Sequence, residues 1–343
     1  MTGRQKTALR TNTFPLATFT SDVESYSMIR QGPATNQLSR VNVRRNDPLK
    51  VDDYTGRSTV SHEDLTVSFS TGALARDMKT STQMLLDALI GILTEEGAGS
   101  TLVTIDLGDY MALRGLRDRK EARAQVKKDL EVIFDAQISF EAAKGKGKNK
   151  EKAFLDMRIV DAKGIDTRGQ IFVNFAPTFF GMISKYPVMP YSKDLLKINS
   201  KRNPFAYSLG RKVLELKNMN AGKPSEDIIS VKTLLKAADG IPSYKEVMAS
   251  DCAVSRRIIE PFERDLNACE NLFTWEYCHS KGAPLADDEL GEMSYSQFER
   301  LYIHVFWRNY PDQTLRLEAK KAIAAKRKAE ASKSGAAAGK SRG

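Results

Sequence analysis

Residues 102–141 read LVTIDLGDYMALRGLRDRKEARAQVKKDLEVIFDAQISFE, and the order of elements in this stretch decides the fold. Leu102-Val103-Thr104-Ile105 is a short apolar, β-branched run and reads as a strand. Asp106 is placed to cap a short helix through Leu113, because its carboxylate can accept amides that a first helical turn leaves unpaired. Gly115 breaks that helix, and Asp118 caps a second one that runs to about Asp135. On this second helix Ala122, Val126, Leu130 and Ile133 recur at helical spacing as a core stripe. Lys120, Arg123 and Lys127 fall together on an adjoining face. Gln137 to Glu141 then reads as a strand.

Working outward, Leu65-Thr66-Val67-Ser68-Phe69 alternates apolar and polar residues and reads as a strand. Residues 79–94 read as a helix with Met84, Leu85, Ala88, Leu89, Ile92 and Leu93 in one wide stripe, stopped by Gly97 and Gly99. After residue 141 come a Gly/Lys loop, Lys144 to Lys150, and a strand from Phe154 to Val160, with Ile171 to Phe175 as a third. The order is helix, short strand, helix, helix, strand, basic loop, strand. That is the order of a winged helix, a helix-turn-helix with a β-hairpin attached.

The second half repeats it. Asn203 and Pro204 open a helix from Phe205 to about Met219, ended by Gly222 and Pro224. Ile228-Ile229-Ser230 is the short strand and Val231 to Ala238 the short helix. A helical region runs from Ser243 or Asp251 to about Cys269, with Pro261 inside it, where the missing N–H and the ring should kink or split the helix. Phe273 to Cys278 and Phe298 to Trp307 read as the hairpin strands. The expected fold class is α+β: two tandem winged-helix domains, residues 61–190 and 191–312, between flexible ends. Residues 1–60 are rich in Ser, Thr, Asn and Arg and read as mostly flexible. Residues 313–343 read as a basic Ala/Lys-rich tail.

The 343 residues carry 53 Lys and Arg against 43 Asp and Glu, a formal charge of +10. Nine cations against Glu318 and Glu330 fall after residue 314, so most of that excess sits in the tail and global charge alone does not argue for nucleic acid. No apolar run reaches the roughly 20 residues of a membrane span, and the first residues lack the apolar core of an export signal. Cys252, Cys269 and Cys278 form no CxxC pair. A reducing cytoplasm is expected, with no membrane contact.

Enzymatic chemistry finds no placed groups. His62, His279 and His304 are scattered, so the His–apolar–His metal cluster of a nicking enzyme does not occur. Gly335 to Ser341 is one residue short of a phosphate loop and follows no strand. Asp287, Asp288, Glu289 and Glu292 read as a solvated turn rather than a metal site. No catalytic residue, metal or cofactor is expected. Binding surfaces are better supplied. Lys120, Arg123 and Lys127 lie on the helix that would meet DNA, and Lys144, Lys146 and Lys148 lie in the loop expected to be its wing. In the second half Ser255, Arg256 and Arg257 open the third helical region, with Lys245 upstream. Arginine can bind guanine O6 and N7 bidentately, and Lys and Ser can hold phosphates. A solvated charged face, a floppy hairpin tip, or an Arg256 or Arg257 pair with Glu260 accounts for the same residues without DNA.

The stretch Ser255-Arg256-Arg257-Ile258-Ile259-Glu260-Pro261-Phe262-Glu263-Arg264-Asp265-Leu266-Asn267, followed by the strand at Phe273, resembles the signature of plasmid replication initiator (Rep) proteins. Arg119 to Phe140 is similar to the third helix and strand of that family's first unit, and the resemblance covers about 60 to 310. It implies two winged-helix domains that bind double-stranded DNA at origin repeats (iterons), recruit host replication proteins such as the replicative helicase or initiator, and in many members form homodimers. A winged-helix transcriptional regulator or a helicase-loading primosome protein would share the fold.

Overall fold

The computed structural model describes residues 26–41, 49–95, 99–144, 151–238, 240–250, 252–286 and 293–311. They belong to two compact units, Met1–Lys197 and Ile198–Gly343.

Unit 1 begins earlier than its composition indicates. Strand β1 (Tyr26–Arg30) and helix α1 (Pro33–Leu38) precede β2 (Lys50–Val51), β3 (Ser58–His62), β4 (Leu65–Phe69), α2 (Gly72–Arg76) and α3 (Thr80–Glu95). Then come β5 (Leu102–Asp106), α4 (Leu107–Arg114), α5 (Arg119–Asp135), β6 (Gln137–Lys144), β7 (Glu151–Arg158), β8 (Val160–Ile165) and β9 (Gln170–Phe175). The unit closes with α6 (Pro177–Ile183), β10 (Val188–Ser192) and α7 (Asp194–Lys197). The expectation that residues 1–60 are mostly flexible is corrected for the described part. β1 pairs antiparallel with β10, and Tyr26, Ile29, Ala34, Leu38 and Val41 are buried. The partner strand lies some 160 residues downstream, which is why no local period announces it.

The elements expected around residue 106 are built as their chemistry dictates. Asp106 accepts the Gly108 amide at 2.6 Å. Gly115 takes a left-handed φ of 63° and ends α4. Asp118 accepts the Glu121 amide at 2.8 Å. The core stripe of α5 is buried against α3, whose stripe is buried almost along its length.

One buried carboxylate locks that helix pair. Asp129 on α5 is 1% exposed, and its Oδ1 accepts from Thr82 Oγ1 (2.7 Å), Ser81 Oγ (2.9 Å) and Gln125 Nε2 (3.0 Å). Replacing it with leucine strands those donors and should cost about 1–3 kcal/mol in a denaturant titration. Burial pushes its pKa above the ordinary 3.8. A carboxyl that holds its proton more tightly when folded stabilises the fold below that ordinary value and loses the contribution as pH rises through the raised folded value. Asp129→Asn keeps an acceptor for the hydroxyls and cannot ionise. The wild type is therefore expected to lose stability relative to this variant between acid and neutral pH, read by thermal melts across that range.

The sheets decide which hairpin lies beside the α4–α5 helix pair. β5 pairs with β9 and β9 with β8, a three-stranded sheet in the order β5-β9-β8. β6 and β7 instead extend a five-stranded sheet, β2-β3-β4-β6-β7. The Gly/Lys loop between β6 and β7 is therefore not the hairpin tip beside the short strand; the β8–β9 turn holds that place. Alternation alone cannot choose a strand's partner, since any neighbour of matching register satisfies it.

Unit 2 contains α8 (Ala206–Asn220), β11 (Ile228–Ser230), α9 (Val231–Ala237), α10 (Tyr244–Ala249), a π-helical turn (Ser255–Ile259), α11 (Glu260–Asn267), β12 (Phe273–Cys278), α12 (Tyr295–Phe298) and β13 (Tyr302–Trp307). Its sheet runs β11-β13-β12, again with the short strand against the returning one. Two local expectations are corrected. Phe298 belongs to α12 rather than to the returning strand, because Ser294 and Gln297 form a capping box. Its ring is buried edge-on to Phe262 at 5.7 Å. Helix α8 starts at Ala206 without a local side-chain cap. Asp265 of α11 supplies the acceptor instead, taking the Phe205 amide at 2.6 Å.

Candidate nucleic-acid interface

The Pro261 problem is solved by a change of helical pitch. The Glu260 amide bonds the Ser255 carbonyl, one residue further back than in an α-helix. The wide π turn lets the chain continue directly into α11 with proline at one of its first two positions. The helix is neither ended nor split. Arg256 and Arg257 sit on that turn, both exposed, with Ile258 buried beneath them.

The rest of the motif is tied down. Ser255 Oγ donates to Glu260 Oε1 at 3.0 Å, so Glu260 is engaged by the serine and not by either arginine. Tyr277 OH donates to Glu263 Oε1 at 2.9 Å, and Trp275 Nε1 donates to Asn267 Oδ1 at 3.0 Å. These bonds fasten α11 to β12. Asp265 is 0% exposed and also accepts from Arg264 Nε at 2.7 Å; burial holds its pKa above the ordinary carboxylate value. Burial likewise pushes the Tyr277 hydroxyl upward, reinforced by the Glu263 charge. The acids and the asparagine thus position the helix, while Arg256 and Arg257 have no hydrogen bond or ion pair among the described residues. Lys245, on α10, is exposed in the same condition.

In unit 1, Lys120, Arg123 and Lys127 line one wall of a groove of about 480 Å³, and Lys163, Gly164 and Ile165 of β8 line the other. Glu131 lies at the groove and binds Lys163 Nζ at 2.5 Å, while the same ammonium lies 5.3 Å from the Phe134 ring. One cation is thereby neutralised. Arg123 has a fixed posture, its Nη2 donating to the Asp166 carbonyl at 2.6 Å. Lys120 and Lys127 are exposed and carry no ion pair among the described residues. The groove is concave and cationic on its helix side, as a phosphate-following surface requires.

Of the residues singled out in the sequence, Lys120, Arg123 and Lys127 come together on one groove. Ser255, Arg256 and Arg257 come together on one turn. Lys144 ends β6 in the other sheet, and Lys146 and Lys148 lie outside the described residues, as do the acidic run 287–290 with Glu292 and the Gly335 to Ser341 segment. Sequence reasoning missed Lys163 and Arg119. Each acts through a strand or turn that only the sheet order brings to α5.

No family model matches the chain, and no curated protein matches it. Among solved structures, domains 2 and 3 of RctB match at 12% identity over 81% of this chain and 99% of that one, with a TM-score of 0.47. A second structure of RctB domains 2–3 matches at 12% identity over 80% and 96%, with a TM-score of 0.39. The WH1 domain of MSBI1.176, a replication protein isolated from a multiple sclerosis patient, matches at 21% identity over 31% of this chain and 79% of that one, with a TM-score of 0.23.

Proposed function

We propose that the protein is a replication initiator of a plasmid or related mobile element, built on two tandem winged-helix units that bind double-stranded origin repeats sequence-specifically. The observation that carries this reading is the pair Arg256 and Arg257: two exposed arginines, free of carboxylates among the described residues, on a turn whose neighbours Glu260, Glu263 and Asp265 accept hydrogen bonds from Ser255, Tyr277 and the Phe205 amide. A bidentate guanidinium on a helix backed by a hairpin is suited to guanine in the major groove. Lys245 flanks the pair as a phosphate contact, while the Ser255 hydroxyl is spent on Glu260. Lys120 and Lys127 supply sequence-independent contacts from unit 1, with Arg123 between them holding the Asp166 carbonyl. No catalytic step and no cofactor belong to this reading. Host replication proteins are its protein partners, a homodimer its second state, and the cytoplasm its place.

The test is footprinting of the full chain on DNA flanking its gene, with a salt titration. Several evenly spaced protected repeats, with an affinity that falls steeply as salt rises, are the expected result. Uniform weak protection without repeats would overturn the reading. Incubation with supercoiled plasmid and magnesium should leave the DNA uncut; a covalent nicked product would replace initiator binding with strand-transfer chemistry.

A further inference from the structure

The β8–β9 turn, Asp166 to Gly169, is held unusually firmly for an exposed tip. Asp166 Oδ1 accepts three successive backbone amides, from Arg168 (2.9 Å), Gly169 (2.8 Å) and Gln170 (2.8 Å). Gly169 has a φ of +104°, a conformation that demands glycine, and a Cβ there would also press on Arg119 Nη2 at 2.8 Å. Both helices of the helix-turn-helix grip this turn. At the start of α4 the Leu107 amide donates to the Gly169 carbonyl at 2.9 Å. From α5, Arg119 Nη2 donates to the Arg168 carbonyl at 3.1 Å and Arg123 Nη2 to the Asp166 carbonyl at 2.6 Å. Two guanidinium groups thus serve as staples. A third, that of Arg168, is exposed and has no side-chain hydrogen bond or ion pair among the described residues; the Asp166 carboxylate of the same turn feels its charge.

From this geometry we infer that Arg168 is a DNA-phosphate contact, carried on a turn locked to the α5 helix so that turn and helix meet the duplex as one rigid surface. The inference deepens the double-stranded DNA reading above and rests on it. Its chemistry is the guanidinium–phosphate pair, for which a fixed backbone removes the ordering cost that a loose hairpin tip would carry. The turn takes the role that sequence reasoning gave to Lys144, Lys146 and Lys148.

The experiment uses the full chain and a labelled mixed-sequence duplex about three helical turns long. Affinity is measured over a salt series for wild type, Arg168→Gln and Arg168→Lys. Arg168→Gln leaves every backbone bond of the turn in place. It should weaken binding roughly fivefold near 0.1 M salt and lower the slope of log affinity against log salt by about 0.9, the value of one phosphate contact. Arg168→Lys should restore the slope. Equal melting temperatures for the three proteins exclude a folding defect. A slope unchanged by Arg168→Gln, with wild type binding tightly, overturns the inference alone. A wild type that shows no salt-dependent duplex binding overturns the DNA reading itself. A slope that falls only when Lys144, Lys146 and Lys148 are changed to glutamine returns the contact to the other hairpin.

Discussion

Replacing Lys217 with methionine is expected to cost unit 2 about 3–5 kcal/mol, because it removes a buried ammonium that pairs with both Glu226 and Asp227. Lys217 is 4% exposed. Its Nζ contacts Glu226 Oε1 and bonds both oxygens of Asp227, at 2.8 and 2.9 Å. The ammonium lies 5.7 Å from the Trp307 ring and 5.3 Å from the Tyr310 ring, which adds a cation–π contribution. Trp307 Nε1 donates to the same Asp227 at 2.7 Å. The network joins α8, the segment before β11 and the end of β13. Methionine fills the volume but takes away the positive charge that Asp227 and the buried Glu226, 7% exposed, share. Both tryptophans of the chain, Trp275 and Trp307, lie in unit 2, so their fluorescence during denaturant unfolding reads this unit directly. A fall in melting temperature of about 6–15 °C is the companion result. Adding Glu226→Gln to Lys217→Met should recover part of the loss. A cost under about 1 kcal/mol would place the cluster with ordinary surface ion pairs.

The second large effect concerns binding rather than stability. Arg256→Ala and Arg257→Ala should each cost about 1–3 kcal/mol on the preferred repeat, and each should relax the choice of base at one position. Selection of binding sites from a random duplex pool, repeated for each variant, reads the position directly. Both side chains are exposed and unbonded among the described residues, so melting temperatures should stay within the small range of surface substitutions. The neighbouring acids serve as the contrast. Asp265→Ala removes the acceptor for the Phe205 amide at the start of α8, so it should lower stability first. If both arginine variants bound the repeat as wild type does, the π turn would not be the reading surface.

The two classes of residue in this motif look alike in sequence. Arg256, Arg257, Glu263, Asp265 and Asn267 are all polar residues on a short helical stretch. The structure separates them by what lies opposite. Tyr277 and Trp275 on β12 face Glu263 and Asn267, and the α8 start faces Asp265. Nothing among the described residues bonds or pairs with the arginines. Helical spacing alone allows a pair between Glu260 and one of them. The serine took that carboxylate because its hydroxyl reaches Glu260 across the π turn.

Residues whose interactions are local were readable without coordinates. The caps at Asp106 and Asp118, the break at Gly115, the stripes of α3 and α5 and the strands β4, β5, β12 and β13 follow from bonds spanning four residues or from a fixed period, and these act on any chain with that sequence. Tertiary structure alone decided the rest. It recruited β1 to β10, put the β8–β9 hairpin rather than the lysine-rich one beside β5, and capped α8 with Asp265 from another helix. It also turned Arg119 and Arg123 into staples. The physical reason is common to all four. A strand edge, a helix start and a buried carbonyl each require a partner, and which distant residue supplies it depends on the burial of a shared core, a quantity no short window of sequence contains.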